Sequence, residues 1–478
     1  MLNPVINPRK SLLKFDFQLP VYNWYYPFPN EEDNVIDTTE ALEAMPPSST
    51  QGRRALYFHI PFCDTLCTFC PFFRSSHYTA QEKTDAYMDA LIREMKWKAS
   101  FSGIGQVPVD VISVGGGTPS VLTVEQILRF GEALHGLFDL SRLQEFTFEL
   151  EVKSVTRDKL QAMKNIGVNR VSFGIQTFHP VYRQVFNITS TVEQVREVAR
   201  MAMDIFSYVN VDMIFGLAGQ SLDDLLKEAD QAMSLNTTTI DFYPLNYMSA
   251  SLKMHRLFKE NHLQPLSPAT KISYRMFLDE YMRAKGYIPI NGYSYTLDRK
   301  SHSQRVLIDR DPIFKYHDLL YGYETDEVIG FGASAVTQTL HFSSYNSNTL
   351  KIYMEEMYLD PLQLSPLTLG NKECPEKGIV YFPYRGVLDK SRIDWERVPS
   401  ETLEALSLAV AEGLVEETDD QYELTPAGWL SYVNLVYYLT PDSGKRWLNE
   451  RIEQRIAEGR ERDEVQLYES LQEGVVAK

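Results

Sequence analysis

The chain has 478 residues, with 47 lysines and arginines against 64 aspartates and glutamates, a formal net charge of −17. That length leaves room for two or three domains, and a composition of 44% hydrophobic and 23% charged residues fits a globular protein with a sizeable core. The acidic balance argues against a nucleic-acid binder, and the absence of any run of 18 apolar residues argues against a transmembrane helix.

Residues 1–54 are rich in Pro, Asn and aromatics, as in LPVYNWYYPFPN, and read as an extended N-terminal arm. The opening MLNPVINPRKSLLKFDF has neither a continuous apolar core nor a small-residue cleavage site, so a signal peptide is not expected. From residue 55 short apolar runs alternate with helical periods. ALYFHI, VDVISV, EFTFELEV, RVSFGIQ, VNVDMIFGL and TIDFYPL are the strand candidates. EKTDAYMDALIREMKWKA and TVEQILRFGEALHGLF are amphipathic helices between them, the second opening at Thr123 with Glu125 and Gln126 in its first turn. Strands alternating with helices imply a parallel sheet with right-handed crossovers. The rhythm fades near residue 296.

Residues 301–400 mix loops, prolines and short apolar runs and read as a connecting, substrate-covering region. Residues 401–440 read helix, hairpin, helix, with Gly413 ending the first helix and Pro426 opening the next. That is a winged-helix-like unit, and its acidic setting favours packing over DNA binding. The charge-alternating RIEQRIAEGRERDEVQLYESLQ predicts a solvated tail helix, closing a C-terminal region of 401–478.

Four cysteines in this length form no disulfide framework, so a reducing, cytoplasmic setting is expected. Three of them, Cys63, Cys67 and Cys70, form a C-x3-C-x2-C set directly after a strand. A redox pair at Cys67 and Cys70 leaves Cys63 unused. A structural zinc site needs a fourth ligand, from His59 or His77. Three thiolates on a four-iron cluster leave one iron without a protein ligand, an open position that chemistry can use. Cys374, in NKECPEKG, reads as an incidental thiol.

The C-x3-C-x2-C set with Phe69 before its last cysteine resembles the radical S-adenosylmethionine enzymes. Tyr57-Phe-His-Ile-Pro-Phe-Cys is similar to their oxygen-independent coproporphyrinogen oxidase branch. The resemblance implies a partial (β/α)6 TIM-like barrel over residues 55–300, in an α/β fold with an N-terminal arm and a mostly helical, winged-helix-like C-terminal region. It implies a [4Fe–4S] cluster on Cys63, Cys67 and Cys70, whose open iron chelates S-adenosylmethionine. Tyr57, Phe69, Gly116, Gly117, Thr118, Glu149, Gln176, Asp212, Ile214 and Met248 match positions that contact this cofactor. His59, inside the same motif, is expected to be structural. Within Gly115-Gly116-Gly117-Thr118-Pro119 the glycines are expected to let the backbone approach the cofactor, with free N–H groups binding its polar end. These positions, and Asn246, fall near the C-terminal ends of successive strands, the rim on which barrel sites lie.

The chain departs from the porphyrinogen oxidases in four places. Phe72 stands where they carry a further cysteine, Ile188 where an arginine meets the cofactor carboxylate, and Val152 and Ala218 where they carry prolines. The long arm and the absent cysteine look most like the anaerobic haem-degrading methyltransferases, the anaerobilin synthases. That likeness implies methylation of haem, opening of the macrocycle and release of iron, with a second S-adenosylmethionine as methyl source and an electron donor such as a flavoprotein. A haem chaperone of the same branch, without turnover, and the porphyrinogen oxidase itself are the alternatives.

Overall fold

The computed structural model describes residues 26–28, 35–47, 52–76, 81–247, 251–297, 314–359 and 366–461. All six expected strands form: β1 (Arg54–Ile60), β2 (Val111–Gly116), β3 (Glu145–Leu150), β4 (Arg170–Gln176), β5 (Tyr208–Phe215) and β6 (Thr239–Pro244). They lie side by side and parallel. The crossovers are α1 (Gln81–Ala99), α2 (Val124–Leu137), α3 (Arg157–Asn165), α4 (Val192–Ile205) and α5 (Leu222–Met233). Helix α2 begins as its sequence demands. Thr123 accepts from the Gln126 N–H, and the Gln126 side chain accepts from the Thr123 N–H, so two of the helix's free donors are satisfied at once. Thr191 and Gln194 repeat the device at α4.

The sheet does not stop where the alternation fades. Beyond β6 and α6 (Pro268–Ala284), β7 (Tyr287–Pro289) and β8 (Ser294–Leu297) extend one edge antiparallel. After helix α7 (Lys315–Leu320), β9 (Glu327–Phe331) pairs parallel with β1 on its other side. Then β10 (Val336–Gln338), β11 (Phe342–Tyr345) and β12 (Leu367–Gly370) complete a 12-stranded sheet, in the order β12-β11-β10-β9-β1-β2-β3-β4-β5-β6-β8-β7. A region expected to connect and cover therefore also builds one edge of the sheet.

Register places a polar stripe on the concave face. Glu149 pairs with Ser172, Ser172 with Asn210, Asp212 with Asp241, and Asp241 with Ser294. Barrel interiors are normally filled by layers of branched apolar side chains. Here the layers are carboxylates, amides and hydroxyls. Helix α7 closes the floor, with Glu145 accepting from the Lys315 and Tyr316 N–H groups at 2.9 and 3.2 Å.

The C-terminal region has its own core, containing Ile379, Phe382, Leu406, Trp429 and Leu435. It comprises α8 (Lys377–Arg385), β13 (Val387–Asp389), α9 (Ser400–Ala411), β14 (Val415–Glu417), β15 (Gln421–Leu424), α10 (Tyr432–Leu439) and α11 (Asp442–Glu461). Gly413, at φ +69°, follows α9, and Pro426 opens the next turn under a Thr425 cap, as expected. The unit packs on the barrel through Arg275 of α6, which lies over the Tyr432 ring at 4.8 Å and donates to Gly292 O. The described stretch of the arm at 26–28 docks on the same unit. Tyr26 donates to Glu376, and Phe28 stacks on Trp447 at 4.4 Å. No described helix is long and apolar enough to cross a membrane.

Candidate active site at the barrel rim

The cysteine loop leaves the C-terminal end of β1 and is pinned from three directions. Phe62 and Cys63 pair with Ser75 and Ser76, closing the loop on itself. Arg74 crosses it and donates to Cys67 O and Cys70 O, both at 2.6 Å. The segment after β4 holds the far side, with Thr68 donating to Val185 O and Asn187 to Leu66 O. The Phe69 ring lies 4.9 Å from that of Phe186.

The three thiols share one electrostatic neighbourhood. Burial pushes Cys63 up to about 11, against a hydrogen bond from Thr118 Oγ1 at 3.4 Å. Burial and the charges of Cys70 and Cys63 push Cys67 up to about 12. Cys70 is also raised by burial, with Arg74 pulling the other way. Thiols so placed stay protonated unless a cationic centre joins them. Among the described residues no three His, Cys, Asp or Glu side chains converge on a single metal ion. A cluster asks for something else, one thiolate per iron.

His59 is structural, as expected. Its Nε2 pairs with Phe73 O at 2.9 Å and its Nδ1 with Tyr57 OH at 3.1 Å, so Nε2 donates and Nδ1 accepts. Burial lowers its pKa to about 4. With both nitrogens engaged, His59 is no fourth ligand for zinc; His77 lies outside the described residues. Tyr57 is half-buried and stacks on Tyr316 of α7.

The three glycines that end β2 and follow it require a correction. The N–H groups of Gly117 and the following Thr118 are not free for a ligand. Gly117 donates to Ile60 O and Thr118 to Phe62 O, and the Gly116 N–H faces Glu149 and favours its ionised form. The glycines are needed because protein atoms crowd them. A Cβ on Gly115 would lie 2.9 Å from the Glu149 carboxylate, on Gly116 2.7 Å from the His59 ring, and on Gly117 2.7 Å from Phe62 O. The run seats Glu149 and the cysteine loop, and any ligand meets what they present.

Glu149, at the end of β3, is open to solvent yet ringed by protein, as a side chain lining a concavity must be. Burial raises it to about 7, against the Arg170 charge and the Gly116 N–H. Asp212 is raised by burial and by its neighbours Asp241 and Glu149, against Arg170. It accepts from Asn210 Nδ2 at 2.7 Å and Ser172 Oγ at 3.3 Å. Gln176 closes β4 at a break in register and takes φ +68°, unusual for a residue with a side chain. Ile214 is buried in an apolar cluster with Leu245 and Tyr247, against which Phe69 and Ile188 pack. Met248 lies outside the described residues.

The rim thus gathers Cys63, Cys67, Cys70, Gly116, Gly117, Thr118, Glu149, Gln176 and Asp212 around one barrel mouth. Sequence reasoning missed Arg74, Arg170 and Asp241. The signal for the last two was a polar period of two along RVSFGIQ and TIDFYPL, which marks one face of each strand.

Residues 57–232 match the radical SAM superfamily model. The chain carries a radical SAM domain. Around it, the chain is 25% identical over 458 residues to an oxygen-independent coproporphyrinogen III oxidase of Synechocystis sp., covering 90% of this chain and 94% of that one. It is 27% identical over 342 residues to the heme chaperone HemW of Bacillus subtilis, covering 70% and 78%. It is 26% identical over 350 residues to an anaerobilin synthase of Escherichia coli O157:H7, covering 73% of each. The fold matches the solved coproporphyrinogen III oxidase HemN of Escherichia coli with a TM-score of 0.71 at 22% identity, over 87% of this chain and 96% of that one. The likeness is to the oxygen-independent coproporphyrinogen oxidase branch, anaerobilin synthase included. A radical SAM domain implies a [4Fe–4S] cluster and S-adenosylmethionine, and the donor chemistry fits. Three enclosed thiols lie together beside a mouth lined by carboxylates and a strained glutamine.

Proposed function

We propose that this radical SAM protein acts on haem, transferring a methyl group from S-adenosylmethionine, opening the macrocycle and releasing iron, with a flavoprotein as electron donor. Cys63, Cys67 and Cys70 hold the cluster, and Glu149, Gln176 and Asp212 hold the cofactor, with the Gly115–Thr118 turn seating Glu149 and the cysteine loop. When bound, the cluster supplies one electron and an open iron. The chain's own residues do the rest. Arg74 fixes the cysteine loop, Gly115 and Gly116 seat Glu149 and His59, and helix α7 closes the end of the barrel away from the mouth.

The observation that carries the haem reading is Ile188. Where the porphyrinogen-oxidising relatives place an arginine, this chain packs an apolar side chain with Phe69 against the cluster around Ile214. Phe72 agrees, since it is 60% exposed where they have a further cysteine. The mouth is therefore altered from that of an oxidase. The haem chaperone is the reading to separate from it. Anaerobic incubation of reconstituted protein with haem, S-adenosylmethionine and a reductant is expected to yield a linear tetrapyrrole and chelatable iron. Bound but unchanged haem, with an intact cluster, identifies a chaperone; conversion of coproporphyrinogen III identifies an oxidase.

A further inference from the structure

Strand β4 begins with Arg170, and that side chain is buried inside the barrel. Its guanidinium lies over the Phe314 ring at 3.8 Å. Its Nη1 has no acceptor among the described residues. A guanidinium keeps its charge in such a place, because it does not lose its proton in proteins. Strand alternation puts Arg170 on the same face as Ser172, which pairs with Glu149 of β3 and donates to Asp212 of β5, itself in register with Asp241 of β6. The Arg170 charge favours the ionised form of all three carboxylates.

The other groups that face these acids are known. Gly116 N–H meets Glu149, which in turn acts on Cys70. Ser172 and Asn210 meet Asp212. Tyr243 OH donates to Asp241 Oδ2 at 3.0 Å. Ser294 stands opposite Asp241 across the sheet, near enough to favour its ionised form, though neither Ser294 Oγ nor Asp241 Oδ1 completes a well-formed hydrogen bond. Tyr293 feels the Asp241 charge. From α7, His317 is buried and neutral, with the cations Arg170 and Arg385 opposing its protonation. Arg170 is therefore the cation common to all three acids. Without it, three carboxylates lining one concavity would favour one another's neutral form.

We propose that Arg170 is a positioning residue of the candidate site, whose charge keeps Glu149, Asp212 and Asp241 able to ionise and so sets how tightly the barrel mouth takes a ligand that is cationic or offers hydroxyl donors. S-adenosylmethionine, with its sulfonium and ribose, is such a ligand, and to that extent the inference rests on the proposed function. The role is indirect, through the carboxylates.

Two measurements test it. In ligand-free, full-length protein, the carboxylic-acid C=O stretch followed by infrared spectroscopy during a pH titration reports the acids directly. Arg170→Met is expected to move the midpoint up by about one pH unit or more, Arg170→Lys to leave it near wild type, and Asp241→Asn to move it down, since a like charge leaves Asp212. Equilibrium dialysis of S-adenosylmethionine with anaerobically reconstituted protein is expected to give affinity profiles that shift in the same directions. A merely structural arginine would not produce opposite shifts in Arg170→Met and Asp241→Asn. If Arg170→Met does not fold, the Lys and Asn variants carry the test. Infrared midpoints that stay put in Asp241→Asn, or that move in Arg170→Lys as far as in Arg170→Met, overturn the proposal. Wild-type protein that binds no S-adenosylmethionine while its infrared midpoints shift as stated overturns the cofactor reading and leaves the role of Arg170 standing.

Discussion

Gly115 and Glu149 stand just past Val114 and Phe148, the last paired residues of β2 and β3, and the one makes room for the other. A Cβ on Gly115 would sit 2.9 Å from the carboxylate carbon and both its oxygens. Strand β3 brings Glu149 to the rim, and the missing side chain on β2 lets it stand there. Gly115→Ala must therefore push the carboxylate aside without breaking a backbone hydrogen bond. The expected result is a loss of about ten- to a hundredfold in S-adenosylmethionine affinity, measured by equilibrium dialysis, with the thermal midpoint little changed. An unaltered affinity would show that Glu149 does not touch the cofactor.

Arg74 serves the cysteine loop as a two-pronged clamp. Two charge-assisted hydrogen bonds to Cys67 O and Cys70 O depend on the planar guanidinium, which a lysine cannot imitate. Arg74→Ala is expected to destabilise the loop by about 2 kcal/mol and to speed loss of iron to a chelator after reconstitution. Arg74→Lys should recover only part of that loss. Equal iron retention in all three proteins would remove the clamp from the account.

The pH dependence of stability follows from Glu149. Burial raises its pKa to about 7 in the folded chain, above the ordinary glutamate value of about 4.3. The folded state therefore binds this proton more tightly than the unfolded state. Its effect on folding is nil well below the unfolded value, grows unfavourable as pH rises through the window between the two, and is constant above about 7. Ligand-free Glu149→Gln should melt higher than wild type at about pH 8, with the difference shrinking towards about pH 4. A difference that grows on acidification would reverse the sign and refute the assignment.

Much of this was legible in the sequence, and what was not has physical reasons. The six strands announced themselves through apolar runs of strand length, and the cysteine spacing marked the loop. The placement of β9 did not, because Glu327–Phe331 is five residues long and its pairing with β1 is a contact across more than 260 positions. The glycine run was visible, but its cause was not, since a sequence cannot say whether a bare Cα faces a ligand or a neighbouring carboxylate. Arg170 was missed because it is the first residue of its strand, a position where a charge ordinarily meets solvent. Only the curvature of the sheet, with Phe314 and helix α7 laid across that end, makes the charge internal.

Gln176 ends β4 in the left-handed region at φ +68°, and its side chain folds over Gly174, where a Cβ would meet Gln176 Nε2 at 2.0 Å. A left-handed conformation costs a residue with a Cβ about 1–2 kcal/mol relative to glycine, and strain of this kind persists where a site needs it. Gln176→Gly should therefore relax the backbone and stabilise the fold by up to about 1 kcal/mol, the gain being reduced by the extra freedom glycine has when unfolded. The same change removes the amide from the mouth, so S-adenosylmethionine should bind more weakly although the protein melts higher. Chemical denaturation and equilibrium dialysis on one preparation read both effects. A variant that is both less stable and equally good at binding would mean that the conformation is held for packing alone.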